Sequence, residues 1–87
     1  MQVSLMTPQQ TVFQGESDDI LVHGHLGQIN LLERHADLIT KVIPGSLRIK
    51  TGGGTKSFEV SDGVLRVKDG RCSILVMTAE PITGQRP

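Results

Sequence analysis

Between Ser46 and Met77, apolar and polar residues alternate with a period of 2. Leu47 and Ile49 fall on one face of their stretch, and Ser46, Arg48 and Lys50 on the other. Successive side chains of a strand point to opposite sides of a sheet, so this pattern predicts a half-buried strand. Ser57–Ser61 repeats it, with Phe58 and Val60 inward and Ser57 and Glu59 outward. Beyond Asp62-Gly63, Leu65 and Val67 face in while Arg66 and Lys68 face out. Turn signals separate these stretches. Pro44-Gly45 combines a preset φ with a residue free to take positive φ, Gly52-Gly53-Gly54 reverses the chain, and Asp69-Gly70 is a hairpin signal before Arg71–Met77. Upstream, Val3–Leu5 closes at Thr7-Pro8, Thr11–Gln14 at Gly15, Ile20–Val22 at Gly24, and Leu38–Ile43 at Pro44-Gly45. The best helical window, Leu31–Lys41, reads almost equally well as loop plus strand. Roughly eight to ten short strands with frequent turns predict an all-β domain, a β-sandwich or flattened barrel. Residues 1–79 hold the pattern; residues 80–87 are expected to be a short tail, frayed over Pro81–Pro87.

Length and charge narrow the function classes. A chain of 87 residues is one small domain and buries only about 60–65% of its unfolded surface, so its stability is expected to lean on a partner. Nine basic residues balance nine acidic ones, which argues against a nucleic-acid binder and against a polybasic membrane anchor. Two Phe, with no Trp or Tyr, leave little material for base-stacking platforms. The single cysteine, Cys72, cannot form a disulfide within the chain and fits a reducing compartment. No run of 18 apolar residues exists, and Met1–Phe13 lacks the charged start and apolar stretch of a signal peptide. The expectation is a soluble intracellular domain.

Candidate chemistry is sparse. His23 and His25 are two apart, a spacing that on a strand places both imidazoles on one face, where Glu33 or His35 would complete a metal set. Gly24 between them favours a turn, which makes solvated or interface histidines the simpler reading. Cys72 alternates with Ile74 and Val76 and reads as a small core residue. Asp18 and Asp19 read as solvated turn residues. Gly52–Gly54 followed by Thr55-Lys56 lacks the spacing and the strand-to-helix context of a phosphate loop. Residues alone stop at a soluble all-β interaction module with no catalytic constellation.

A collinear set of short motifs goes further. Val12-Phe13-Gln14-Gly15 resembles the Phe-x-Gly turn of the epsilon subunit of rotary F-type ATP synthases. Gly27–Thr40, GQINLLERHADLIT, resembles that family's GELGIYPGHAPLLT, and Ile43-Pro44-Gly45 with Leu47-Arg48-Ile49 resembles its KPG-x-x-RI element. Val60–Val67 resembles VSGGFLEV, and Ser73–Ala79 resembles VTVLADTA. The resemblance spans Val3 to Ala79 and implies a sandwich of two roughly five-stranded sheets. It also implies a non-catalytic part of the central stalk, linking the gamma subunit to the c-ring and coupling ion flow to ATP synthesis. Neither cofactor nor metal is implied. Such a subunit is a monomer within a hetero-oligomer, peripheral to the cytoplasmic side of the bacterial inner membrane or the equivalent organelle face, without inserting into lipid. The family's C-terminal helical hairpin has no counterpart before the sequence stops, so hairpin-based inhibition of ATP hydrolysis is expected to be absent.

The resemblance also assigns contacts. His35, Thr7, Thr40, Ser61 and Arg66 match positions near gamma. His25, Leu26, Gln28, Ile29 and Asn30 fall in the loop that meets the c-ring. Several positions depart from the family pattern: Gln28 replaces an acidic residue, Leu31–Arg34 replaces an Ile-Tyr-Pro-Gly turn, Asp37 replaces a proline, and Arg66 reverses an acidic charge. Two other readings compete, a small β-barrel metal protein or enzyme using His23, His25 and His35, and a β-domain adaptor of another complex.

Overall fold

The computed structural model describes residues 1–25, 27–32 and 36–82. Ten strands follow one another with short connections: β1 (Gln2–Met6), β2 (Thr11–Glu16), β3 (Asp19–Gly24), β4 (Gly27–Leu32), β5 (Leu38–Val42), β6 (Gly45–Thr51), β7 (Gly54–Val60), β8 (Gly63–Lys68), β9 (Arg71–Val76) and β10 (Ala79–Pro81). No helix occurs among the described residues. All pairings are antiparallel except β1 with β9, which run parallel.

The hydrogen-bonded order is β10-β7-β6-β3-β5-β8-β9-β1-β2, with β4 also on β3. Two five-stranded halves, β10-β7-β6-β3-β4 and β5-β8-β9-β1-β2, meet at one register pair, Gly24 with Val42. The Ile43 amide donates to the His23 carbonyl at 2.9 Å beside that pair. The sheet is thus a sandwich whose two halves are joined at one corner, nearly closed into a barrel.

Alternation explains where the core lies. Strands β6, β8 and β9 bury every second residue, so Leu47, Ile49, Leu65, Val67, Cys72, Ile74 and Val76 point between the halves. Val3, Leu5, Ile20, Val22, Leu31, Val42, Phe58 and Val60 join them in one continuous apolar cluster. The rings of Phe13 and Phe58 meet with centroids 6.2 Å apart and planes tilted by 59°. Tilted aromatic pairs of this kind add favourable quadrupole contact to simple burial.

Local choices fix the turns. Lys68 pairs with Arg71 across a two-residue loop in which Asp69 (φ 54°) and Gly70 (φ 75°) are both left-handed, the geometry that matches the strand twist. Gly63 is required by close approach, because a Cβ there would lie 2.0 Å from the Leu75 carbonyl oxygen and 2.7 Å from the Val76 Cα. Gly24 is hemmed in too, with Ile29 Cδ1 at 2.7 Å from a Cβ placed on it.

The structure corrects several sequence expectations. Gly24 ends β3 rather than interrupting it, so His23 is a strand residue and the last pair of the β3–β4 hairpin is Gly24 with Gly27. β2 runs through Gly15 to Glu16, and Gly54 starts β7, leaving Gly52-Gly53 as the turn. The ambiguous window Leu31–Lys41 holds the end of β4 and most of β5, where Leu38 and Thr40 are half-buried and Ile39 and Lys41 exposed, a period of 2. Pro81 is not frayed: it pairs with Phe58 in β10, and the Ile82 amide donates to the Ser57 carbonyl at 2.9 Å. β10 therefore includes Glu80 and Pro81, the first residues of the expected tail. Residues 83–87 lie outside the described residues.

Candidate interaction surface

Strands β5, β8 and β9 lie side by side, and their registers set which side chains share the outward face. Lys41, Val64 and Leu75 form one row across them, extended by Met6 on β1. Ile39, Arg66 and Ser73 form the next row, followed by Lys68 and Arg71. Ile39, Val64 and Leu75 are 71%, 47% and 50% exposed and adjacent to one another on this face. Ile43 and Met77, in the connections after β5 and β9, are also exposed. Contiguous apolar exposure of this kind marks an interaction surface. The sequence signal for it was the loss of alternation: Val64-Leu65 and Ile74–Met77 are apolar at consecutive positions, so both faces of β8 and β9 carry apolar side chains.

The residues assigned by resemblance to the gamma contact do not share one face. Arg66 is on the outward face just described, paired with Ile39 and Ser73. Thr40 pairs with Leu65 and points to the core side, half-buried. Thr7 sits in the turn between β1 and β2, its amide and carbonyl both bonded to Gln10. Ser61 is engaged within the fold, where its Oγ accepts the Thr78 amide at 2.9 Å and ties the approach to β8 to the approach to β10. His35 lies outside the described residues. By register, Thr7, Ser61 and Met77 collect at one end of the sandwich, where Gly63 pairs with Val76 and Met6 with Leu75.

The β3–β4 hairpin tip reaches that same end, since Gly24 pairs with Val42 and Val42 with Gly63. In this hairpin His25 and Gln28 are exposed, and Ile29 packs against the core. The Asn30 amide donates to Asp19 Oδ1 at 2.7 Å and to the Ile20 carbonyl at 3.1 Å, bracing the hairpin from the side. Leu26 lies outside the described residues.

No arrangement for catalysis or metal binding emerges among the described residues. His23 is half-buried and packs against Gly45, while His25 is exposed in the turn. Glu33 and His35 lie outside the described residues, and no group of three His, Cys, Asp or Glu side chains fit to hold a metal occurs among the described ones. The metal reading is therefore unsupported. The Cys72 thiol is buried, and desolvation pushes its pKa up to about 12, the opposite of what a nucleophile needs. Asp18 is exposed, and Asp19 is engaged with Asn30. The surface depressions are shallow; one of about 430 Å³ on the outer face of β3 and β6 is lined by Asp19, Asn30, Arg48 and Lys50 among others. No helix among the described residues is long and apolar enough to cross a membrane.

Comparison with known proteins agrees with this architecture. The chain is 36% identical over 78 residues to the ATP synthase epsilon chain of Desulforamulus reducens, covering 90% of this chain and 59% of the relative. It is 32% identical over 80 residues to the chloroplastic epsilon chain of Emiliania huxleyi, covering 92% and 62%. The 87 residues thus span about three fifths of the length of these relatives. In fold, the chain is similar to a chain of the mitochondrial ATP synthase of Euglena gracilis, with a TM-score of 0.86 at 22% identity over 97% of this chain and 54% of that one. It is also similar to one in the central stalk and c-ring structure of the Tetrahymena thermophila mitochondrial ATP synthase, with a TM-score of 0.75 at 24% identity, covering 91% and 64%. Residues 1–82 match the model of the β-sandwich domain of the ATP synthase delta/epsilon chain, and the chain belongs to that family.

Proposed function

We propose that this chain is a non-catalytic rotor component of an ATP synthase, standing in the central stalk between the gamma subunit and the c-ring. Its role is mechanical, carrying torque between two partners while ions flow through the membrane sector and ATP is made. A continuous apolar core of interlocked strands supplies the rigidity such a part requires. The observation that carries the reading is the exposed pair Val64 and Leu75, with half-buried Met6 in the same row and exposed Ile39 beside it, on a chain that has no convergent titratable site among its described residues. In this reading the row and its surroundings meet gamma, with Arg66 on the face and Thr7 and Ser61 at its end; Thr40 and His35 belong to the same contact by family resemblance. The β3–β4 hairpin, with His25, Gln28, Ile29 and Asn30, meets the c-ring, and Leu26 belongs to that contact by family resemblance. The chain is one copy within a hetero-oligomer and peripheral to the membrane, on the cytoplasmic side in a bacterium.

The test is recovery of partners from native membranes. The tagged chain, gently solubilised, is expected to bring down gamma, the catalytic head and the c-ring. Changing Val64→Asp together with Leu75→Asp should reduce that recovery severely while leaving the circular-dichroism spectrum intact. Recovery of none of these subunits by the unchanged chain, or equal recovery by the variant, overturns the reading.

A further inference from the structure

The outward face of β5, β8 and β9 carries a second feature besides its apolar row. Every charged side chain that these strands turn outward is a cation: Lys41, Arg66, Lys68 and Arg71. Arg66, Lys68 and Arg71 surround Ser73 in a shallow depression of about 240 Å³ at the β8–β9 hairpin. A second depression, of about 360 Å³, lies on the other side of Arg66 and Lys68 against Asp37 and Ile39. Two carboxylates stand at the edge of the group, Asp69 in the turn and Asp37 before β5. Asp37 Oδ1 accepts the Asp69 amide at 3.2 Å, and among the described residues neither carboxylate forms an ion pair with the cations. Arg66, Lys68 and Arg71 have no charged partner within the described chain.

The opposite half differs. There Asp19 is paired in register with Lys50, and Glu59 and Glu80 share the outer face with Arg48, so its charges are mixed in sign. A chain of zero formal charge has therefore gathered four outward cations beside its exposed apolar row, with Asp37 and Asp69 as the only carboxylates lining the two depressions. Complementary potential across an interface fixes register and speeds encounter, while the apolar centre supplies most of the affinity.

We propose, resting on the stalk reading above, that this face docks on an acidic strip of the gamma subunit, with Arg66, Lys68 and Arg71 as the specificity-determining contacts. The cations select the partner and its register, and Val64 and Leu75 provide the buried area. An anionic lipid surface is the competing occupant of a cationic apolar face. The composition of the face favours protein, because interfacial lipid contacts use Trp and Phe anchors and the two phenyl rings here are turned to each other instead.

The experiment measures the affinity of the full chain for the gamma subunit of its own synthase as salt is raised. For the unchanged chain, affinity should fall about tenfold between roughly 50 and 300 mM NaCl, as screening removes charge pairing. Arg66→Glu, Lys68→Glu and Arg71→Glu together should weaken binding at low salt by at least about tenfold and flatten that dependence. Arg66→Lys with Arg71→Lys should retain it, and Arg48→Glu with Lys50→Glu on the other half should change nothing. If the triple reversal does not fold, the three changes to Gln give the same reading at smaller amplitude. Unchanged gamma binding by the folded triple variant overturns the proposal and leaves the stalk reading standing. Failure of the unchanged chain to bind gamma at any salt overturns both. Binding to phosphatidylglycerol vesicles that the triple variant loses, with gamma affinity intact, assigns the cations to lipid and overturns the proposal.

Discussion

Ser17 is the single buried polar side chain among the described residues, and it is fully used. Its hydroxyl donates to the Lys50 carbonyl at 2.6 Å and accepts the Asp19 amide at 3.1 Å, which locks the start of β3 to the end of β6. Ser17→Ala would remove both bonds from a buried site, at a cost of about 1–3 kcal/mol, read as a lower denaturation midpoint with an unchanged slope. Cys72 makes the second prediction. Its thiol pKa rises from 9.0 to about 12 in the fold because burial disfavours the thiolate. Between those values the unfolded chain releases the proton and the folded chain keeps it, so this contribution to stability is full below the unfolded pKa of 9.0 and falls as pH rises, with a slope up to about 1.4 kcal/mol per pH unit. Cys72→Ala should remove that part of the alkaline decline, seen by comparing denaturant titrations at about pH 8 and about pH 10.5. Cys72 was readable as core because Ile74 and Val76 follow at strand spacing. Ser17 was not, because its acceptor lies 33 residues away and local pattern carries no trace of it.

Strands announce themselves in this chain wherever one face is wet. β6, β7 and β8 follow period 2, and the Asp69-Gly70 turn could be read from two residues because only small or short polar residues tolerate both left-handed positions. The pattern blurs where a strand is turned toward two environments. Gly24 looked like a break because glycine usually is one, yet it ends β3 where Ile29 packs too closely for a Cβ. Pro81 also looked like a terminus, but proline is tolerated on an edge strand, and β10 is at the edge of its half. Gly63 supplies the element-level prediction. A methyl group there must displace the β9 backbone at Leu75 and Val76, so Gly63→Ala should cost about 1–3 kcal/mol and loosen the β8–β9 ladder. Hydrogen exchange at the Val64 and Leu75 amides measures this directly; exchange as slow as in the unchanged chain would show that the close approach is not limiting.

The two halves of the sandwich differ in what they expose. One half is joined to the β3–β4 hairpin tip and presents mixed charges; the other presents the apolar row and its cations. Contacts spread over two such surfaces suit a part that must resist torque, and a chain this small gains stability by mass action when a partner binds its folded form. Saturating gamma at about 100 times its Kd should add roughly 2.7 kcal/mol of stability, seen as a higher Tm. The all-β class was legible from alternation, and the family from collinear motifs. The exposed apolar face left only the lost alternation at Val64-Leu65 and Ile74–Met77 as a trace, because resemblance named single residues whereas the face is made by register across β5, β8 and β9. The most direct test of the gamma-facing surface places a photo-cross-linker at position 75, and separately at position 59 on the opposite half, in the assembled membrane complex. Strong adducts with gamma are expected from position 75 and none from position 59. Adducts with gamma from position 59 alone would contradict the assignment of the face.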